Sequence, residues 1–109
     1  FEIQGMPFVA LNGGPVFKFT EAISFVINCE IQEEIDYYWE KLGEGGDPQF
    51  QQCGWLKDKY GVSWQIVPEI LSKLMNDADK EKAQRATQAM FTMKKFDIRA
   101  LKNAFDGNI

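Results

Sequence analysis

Gln51-Gln52-Cys53-Gly54-Trp55-Leu56-Lys57-Asp58-Lys59-Tyr60-Gly61-Val62-Ser63-Trp64-Gln65-Ile66-Val67-Pro68 is the stretch that decides the fold. Trp55 and Trp64 bracket a charged, glycine-ended turn, Lys57-Asp58-Lys59-Tyr60-Gly61. The aromatic and β-branched residues on either side of that turn favour extended backbone. Pro68 lacks a backbone donor and stops the second run. The stretch therefore predicts a strand, a turn and a second strand that runs into a helix.

Working back from it, Ile31, Ile35, Tyr38, Trp39 and Leu42 fall on one helical face, and Glu33, Glu34, Asp36, Glu40 and Lys41 take the opposite one. Gly43, Gly45 and Gly46 end that helix. A strand over Ala22 to Asn28 precedes it, apolar at both odd and even positions, which predicts cover on both sides. Asp47-Pro48 then leads to a short strand around Phe50 to Gln52, so the order strand, helix, three strands makes a βαβββ unit. Before this unit, Phe1-Glu2-Ile3, Gln4-Gly5 and the run from Met6 to Leu11 read as a hairpin with one short arm, followed by a turn at Asn12-Gly13-Gly14-Pro15.

After Pro68 the pattern turns helical: a short helix over 69–75, a longer one over 79–94 and a third over 97–105. Asp77 or Asp79, and Asp97, suit the N-caps, and Gly107 suits a C-terminal stop. Ala83, Ala86, Met90 and Met93 form a narrow apolar stripe for packing against the sheet or a neighbouring subunit. The expected division of this single domain is 1–14, the end of a truncated first module; 21–68, the βαβββ module; and 69–109, a helical C-terminal tail.

Composition narrows the function. The chain of 109 residues carries 12 Lys plus Arg against 16 Asp plus Glu, a formal charge of −4, which disfavours nucleic acid and anionic membrane as partners. Apolar runs such as Phe25-Val26-Ile27 fall far short of the ~20 residues of a membrane span, so a cytoplasmic protein is expected. Cys29 and Cys53 lack the C-x-x-C spacing of a redox or zinc pair and read as free thiols. Histidine is absent, which removes the commonest general base and metal ligand.

Ala10-Leu11-Asn12-Gly13-Gly14-Pro15, Glu21-Ala22-Ile23-Ser24-Phe25-Val26, Tyr38-Trp39-Glu40-Lys41-Leu42 and the run from Gln51 to Pro68 together resemble the PhnB-like family. That family, also labelled demethylubiquinone methyltransferase-like, belongs to the vicinal oxygen chelate superfamily with glyoxalase I and the bleomycin-resistance proteins. The resemblance implies an α+β fold built from two βαβββ modules whose curved sheets enclose a ligand cavity. One module is whole here and the first is incomplete. A longer polypeptide or a partner chain would supply the rest, and the resemblance implies a homodimer, which would bury an exposed strand edge and an apolar concave face.

Metal-dependent relatives place a His early in the strand matching Ala22 to Asn28 and a Glu in the strand matching Val62 to Val67. Those slots hold Ala22 and Gln65, and the slot near the start of the chain holds Val9. The expectation is accordingly no metal and no cofactor. Nor does a glycine-rich strand-to-helix loop support the methyltransferase label.

What remains is an apolar, aromatic cavity. Alternation places Ala22, Ser24 and Val26 on one face with Ser63, Gln65 and Val67, and sends Ile23, Phe25, Ile27, Trp64 and Ile66 beneath the helix. Ser24, Trp55, Ser63 and Gln65 are the candidate ligand-binding residues. Trp55 could stack on a planar ligand or serve as a large core or rim aromatic. Gln65 could orient a ligand or be a satisfied buried amide. No catalytic constellation is evident. The leading expectation is a small-molecule-binding protein; the alternative is an enzyme of the vicinal oxygen chelate class acting on a small oxygenated substrate.

Overall fold

The computed structural model describes residues 1–9 and 18–108. The turn at Asn12 to Pro15 lies outside the described residues. The first hairpin pairs β1 (Glu2–Ile3) with β2 (Met6–Pro7) antiparallel. Its two-residue turn holds Gln4 at φ 52° and Gly5 at φ 76°. Two consecutive positive φ values match the right-handed twist of the flanking strands.

The main unit runs β3 (Ser24–Cys29), α1 (Gln32–Gly43), β4 (Trp55–Lys57) and β5 (Ser63–Pro68). Its sheet has the order β3-β5-β4, with β3 parallel and β4 antiparallel to β5. This is a mixed α+β module of the βαβββ kind, with one of its strands reduced almost to nothing. The strand expected around Phe50 to Gln52 is instead a single 3-10 turn over Pro48–Phe50 and an isolated bridge between Gln52 and Trp55. Asp47 caps that turn by accepting the Gln49 N–H at 2.9 Å. Cys53 at φ 50° and Gly54 at φ 81° then reverse the chain within two residues, so Gln52 pairs with Trp55 before a ladder can lengthen.

β3 begins two residues later than Ala22. The Thr20 hydroxyl accepts the Ala22 N–H at 3.2 Å and the Thr20 carbonyl accepts that of Ile23 at 3.3 Å. These local bonds hold Ala22 and Ile23 in a turn, because a threonine can offer the backbone an alternative to the ladder.

On one face of the sheet Ile27, Cys29, Leu56, Trp64 and Ile66 join Ile35 of α1 in a buried cluster, flanked by Tyr38, Trp39 and Leu42. Each large side chain so buried stabilises the fold by about 1.5–3 kcal/mol. Ile23 and Phe25, expected beneath the helix, do not reach it: they are 68% and 41% exposed. Phe25 instead packs at the sheet's end against Phe8 and Trp64, with ring centroids 5.6 and 5.3 Å away. Among the described residues, cover on both faces of β3 is likewise not found: Val26 is 51% exposed.

Beyond β5 the chain forms α2 (Ile70–Met75), α3 (Lys80–Phe91) and α4 (Ile98–Asp106). Asp79 is the N-cap of α3, accepting from Glu81 and Lys82, and Asp97 caps α4 through the Ala100 N–H. Asp77 supports the former by accepting the Asp79 N–H at 2.9 Å. At the other end of α4, Gly107 is left-handed, and Arg85 of α3 donates to the Ala104 and Phe105 carbonyls at 3.0 and 2.9 Å. A cation there also meets the negative end of the helix dipole.

These helices share a second core of Leu71, Leu74, Ala86, Phe96 and Leu101, with Met90 and Met93 against it. Two devices tie this core to the sheet. Gln32, at the start of α1, donates to the Phe96 carbonyl at 2.9 Å and accepts the Ile98 N–H at 2.8 Å. The Cys53 and Gly54 amides donate to the Met93 and Lys94 carbonyls, each at 2.8 Å.

Candidate functional site

Strand alternation fixes which side chains share the face turned away from α1. Ser24 is the register partner of Ser63, Val26 of Gln65, and Asn28 of Val67. Across the other seam, Gln65 partners Trp55 and Ser63 partners Lys57. Ser24, Trp55, Ser63 and Gln65 therefore stand on one sheet face, in two adjacent rows. The upper row is Val26, Gln65 and Trp55; the lower is Ser24, Ser63 and Lys57.

The Gln65 side-chain amide donates to the Ser24 hydroxyl at 2.8 Å, crossing from one row to the other. That bond engages one of the amide's two donors. Ser63 is buried, whereas Ser24, Trp55 and Gln65 are half-buried. Among the described residues, no fully buried side-chain nitrogen or oxygen lacks a partner.

Lys57 was missing from the candidates read in the sequence, although it follows Trp55 by two residues and so shares its face. Its ammonium forms an ion pair with Glu21, from the turn before β3, and lies 4.0 Å from the centroid of the Phe50 ring. The hydrogen bond from Lys57 holds the Glu21 carboxyl below its ordinary range, helped by a backbone hydrogen bond and by the nearby positive charge. Close by, the Asp58 carboxylate accepts the Tyr60 and Val62 amides at 2.9 and 3.0 Å and the Trp64 indole N–H at 2.9 Å. It fixes the turn that delivers β5.

The two thiols differ. Cys29 is fully buried, and desolvation, with Glu34 and Glu69 nearby, pushes it up to about 11. Cys53 is half-buried in the tight turn.

A family model described as 3-demethylubiquinone-9 3-methyltransferase matches residues 1–67 of the 109. The chain belongs to this family. It is the PhnB-like family of the glyoxalase/bleomycin-resistance superfamily, and the βαβββ module is that superfamily's unit. No curated protein matches the chain.

The superfamily's metal positions can be tested on this family member's own residues. Ala22 has no ligating atom, Val9 is 94% exposed and apolar, and Gln65 offers only a neutral amide oxygen. This donor set does not fit a divalent cation. Among the described residues no three His, Cys, Asp or Glu side chains converge. A groove of about 530 Å³ lies elsewhere, between the start of α1 and α4, with Gln32, Arg99, Lys102 and Asp106 among its lining. Its Gln32 is spent on the clamp to Phe96 and Ile98. Among the described residues no helix is long and apolar enough to cross a membrane.

Proposed function

We propose that this PhnB-like chain is a small-molecule-binding module whose ligand lies on the sheet face of Ser24, Trp55, Ser63 and Gln65. A second copy of the chain closes over that face to complete the cavity. The observation that carries this reading is the Gln65 amide held at 2.8 Å on Ser24 directly beside its register partner Trp55. A planar ligand can stack on the indole while the oriented amide reads one polar group at its edge. Apolar Val26, exposed in the same row, supplies contact area on the other side of Gln65.

Calorimetric titration with a neutral probe, 2-naphthalenemethanol, tests the reading. Trp55→Ala and Gln65→Leu should each weaken binding by about tenfold, the worth of one stacking or hydrogen-bonding contact. Undiminished affinity in both variants would place the ligand elsewhere. Sedimentation velocity on the same samples checks the second copy: a monomer at concentrations where the probe binds would remove it from the reading.

A further inference from the structure

We infer that the ligand of this face is an aromatic carboxylate, selected by Lys57, with Glu21 occupying the carboxylate position until the ligand arrives. The inference rests on the proposed binding face and adds its chemistry.

Three observations carry it. First, Lys57 is the register partner of Ser63 and shares a strand and a face with Trp55, so their Cα atoms stand about 7 Å apart along β4. That is the span of a fused bicyclic ring bearing one carboxylate. Second, the Lys57 side chain is only 20% exposed, whereas that of Glu21 is 57% exposed. The cation is part of the face and its partner approaches from the solvent side. Third, the Phe50 ring 4.0 Å from the ammonium favours the charge but accepts no conventional hydrogen bond, so among the described residues the Glu21 carboxylate is the anion that accepts from it.

A half-buried cation needs an anionic partner, and Glu21 is the one the chain itself provides. Glu21 keeps its contact with water, so a ligand carboxylate that also stacks on Trp55 can replace it, one ion pair on Lys57 being exchanged for another. The carboxylate so released turns to water. Ser24, half-buried in the same row as Lys57, can donate its hydroxyl to the second carboxylate oxygen while it accepts from Gln65.

The test is calorimetric titration of 2-naphthoate and of neutral 2-naphthalenemethanol into the wild type, Lys57→Met and Glu21→Gln. Naphthoate should bind the wild type more tightly than the alcohol. Lys57→Met should weaken naphthoate by about tenfold or more, the worth of a charge-assisted hydrogen bond, and leave the alcohol within ~twofold. Glu21→Gln should strengthen naphthoate by up to ~fivefold by removing the internal competitor. Equal naphthoate and alcohol affinities in all three proteins would overturn the inference and leave the binding face standing. Failure of both probes to bind would overturn both readings.

Discussion

Replacing Gly54 by alanine should unfold this protein at a much lower temperature, through two separable effects. Gly54 sits at φ 81°, where an L side chain costs about 1–2 kcal/mol. Its Cβ would also stand 2.3 Å from Phe96 Cε2, 2.8 Å from Cδ2 and 3.1 Å from the Ile66 carbonyl oxygen. Phe96 is 2% exposed in the tail core and cannot swing aside without opening that core. Forcing a methyl into packed surroundings adds about 1–3 kcal/mol. The sum is about 2–5 kcal/mol, a large part of the ~5–15 kcal/mol that holds a typical domain together. At ~4–8 °C per kcal/mol for a domain of this size, Tm should fall by about 8–40 °C.

The two effects separate in a double-mutant cycle with Phe96→Leu, followed by urea unfolding and far-ultraviolet circular dichroism. Withdrawing the ring edge removes the two closest contacts and leaves the backbone strain and the 3.1 Å approach to the Ile66 carbonyl oxygen, so Gly54→Ala should cost at least ~1 kcal/mol less in the Phe96→Leu background than in the wild type. A loss below ~1 kcal/mol in the wild-type background, or an equal loss in both, would refute the account of how tail and sheet are joined.

Asp58→Ala leaves the Trp64 indole N–H unpaired in the core and frees the turn amides of Tyr60 and Val62. It should cost about 2–4 kcal/mol in urea unfolding, with Asp58→Asn recovering part of the loss. Cys29, buried and raised from 9.0 to about 11, resists ionisation in the folded state. Between those two values the unfolded chain binds fewer protons than the folded one, so stability is full below pH 9 and falls as pH rises toward 11, by up to ~3 kcal/mol. Urea midpoints measured across this window should slope less steeply in Cys29→Ala.

The fold was legible where the signal is local. The 3.6-residue spacing of Ile35, Tyr38 and Leu42 marks α1, and the alternation of Trp64 and Ile66 against Ser63 and Gln65 marks β5 and its two faces. Asp79 and Asp97 read as caps because a short carboxylate before a helix has few other uses for its oxygens. The strand sought around Phe50 to Gln52 failed for a reason that periodicity does not carry. Cys53 takes a positive φ that normally marks glycine, asparagine or aspartate, so the tight turn at Cys53-Gly54 does not announce itself. Ile23 and Phe25 failed differently: alternation assigns a face, but how far the helix extends over that face depends on where α1 packs. Thr20 drew Ile23 out of the strand altogether.

The candidate site was half legible for the same reason. Ser24, Ser63 and Gln65 could be placed on one face because each lies in a strand whose phase is fixed by buried neighbours on the opposite side. Lys57 lies at the end of β4, where a lysine reads as turn composition, and alternation from Trp55 alone places it beside Ser63. Its partner is farther out of reach. Glu21 precedes Lys57 by 36 residues, and the parallel pairing of β3 with β5 is what carries it there. A hydrophobic pattern specifies that two strands will be buried together but not their register. The register of Ser24 on Ser63 determines whether Glu21 ends beside Lys57 or in water. The charge on this face is thus a property of strand register, and moving β3 by two residues would break the ion pair while leaving every core side chain on its proper face.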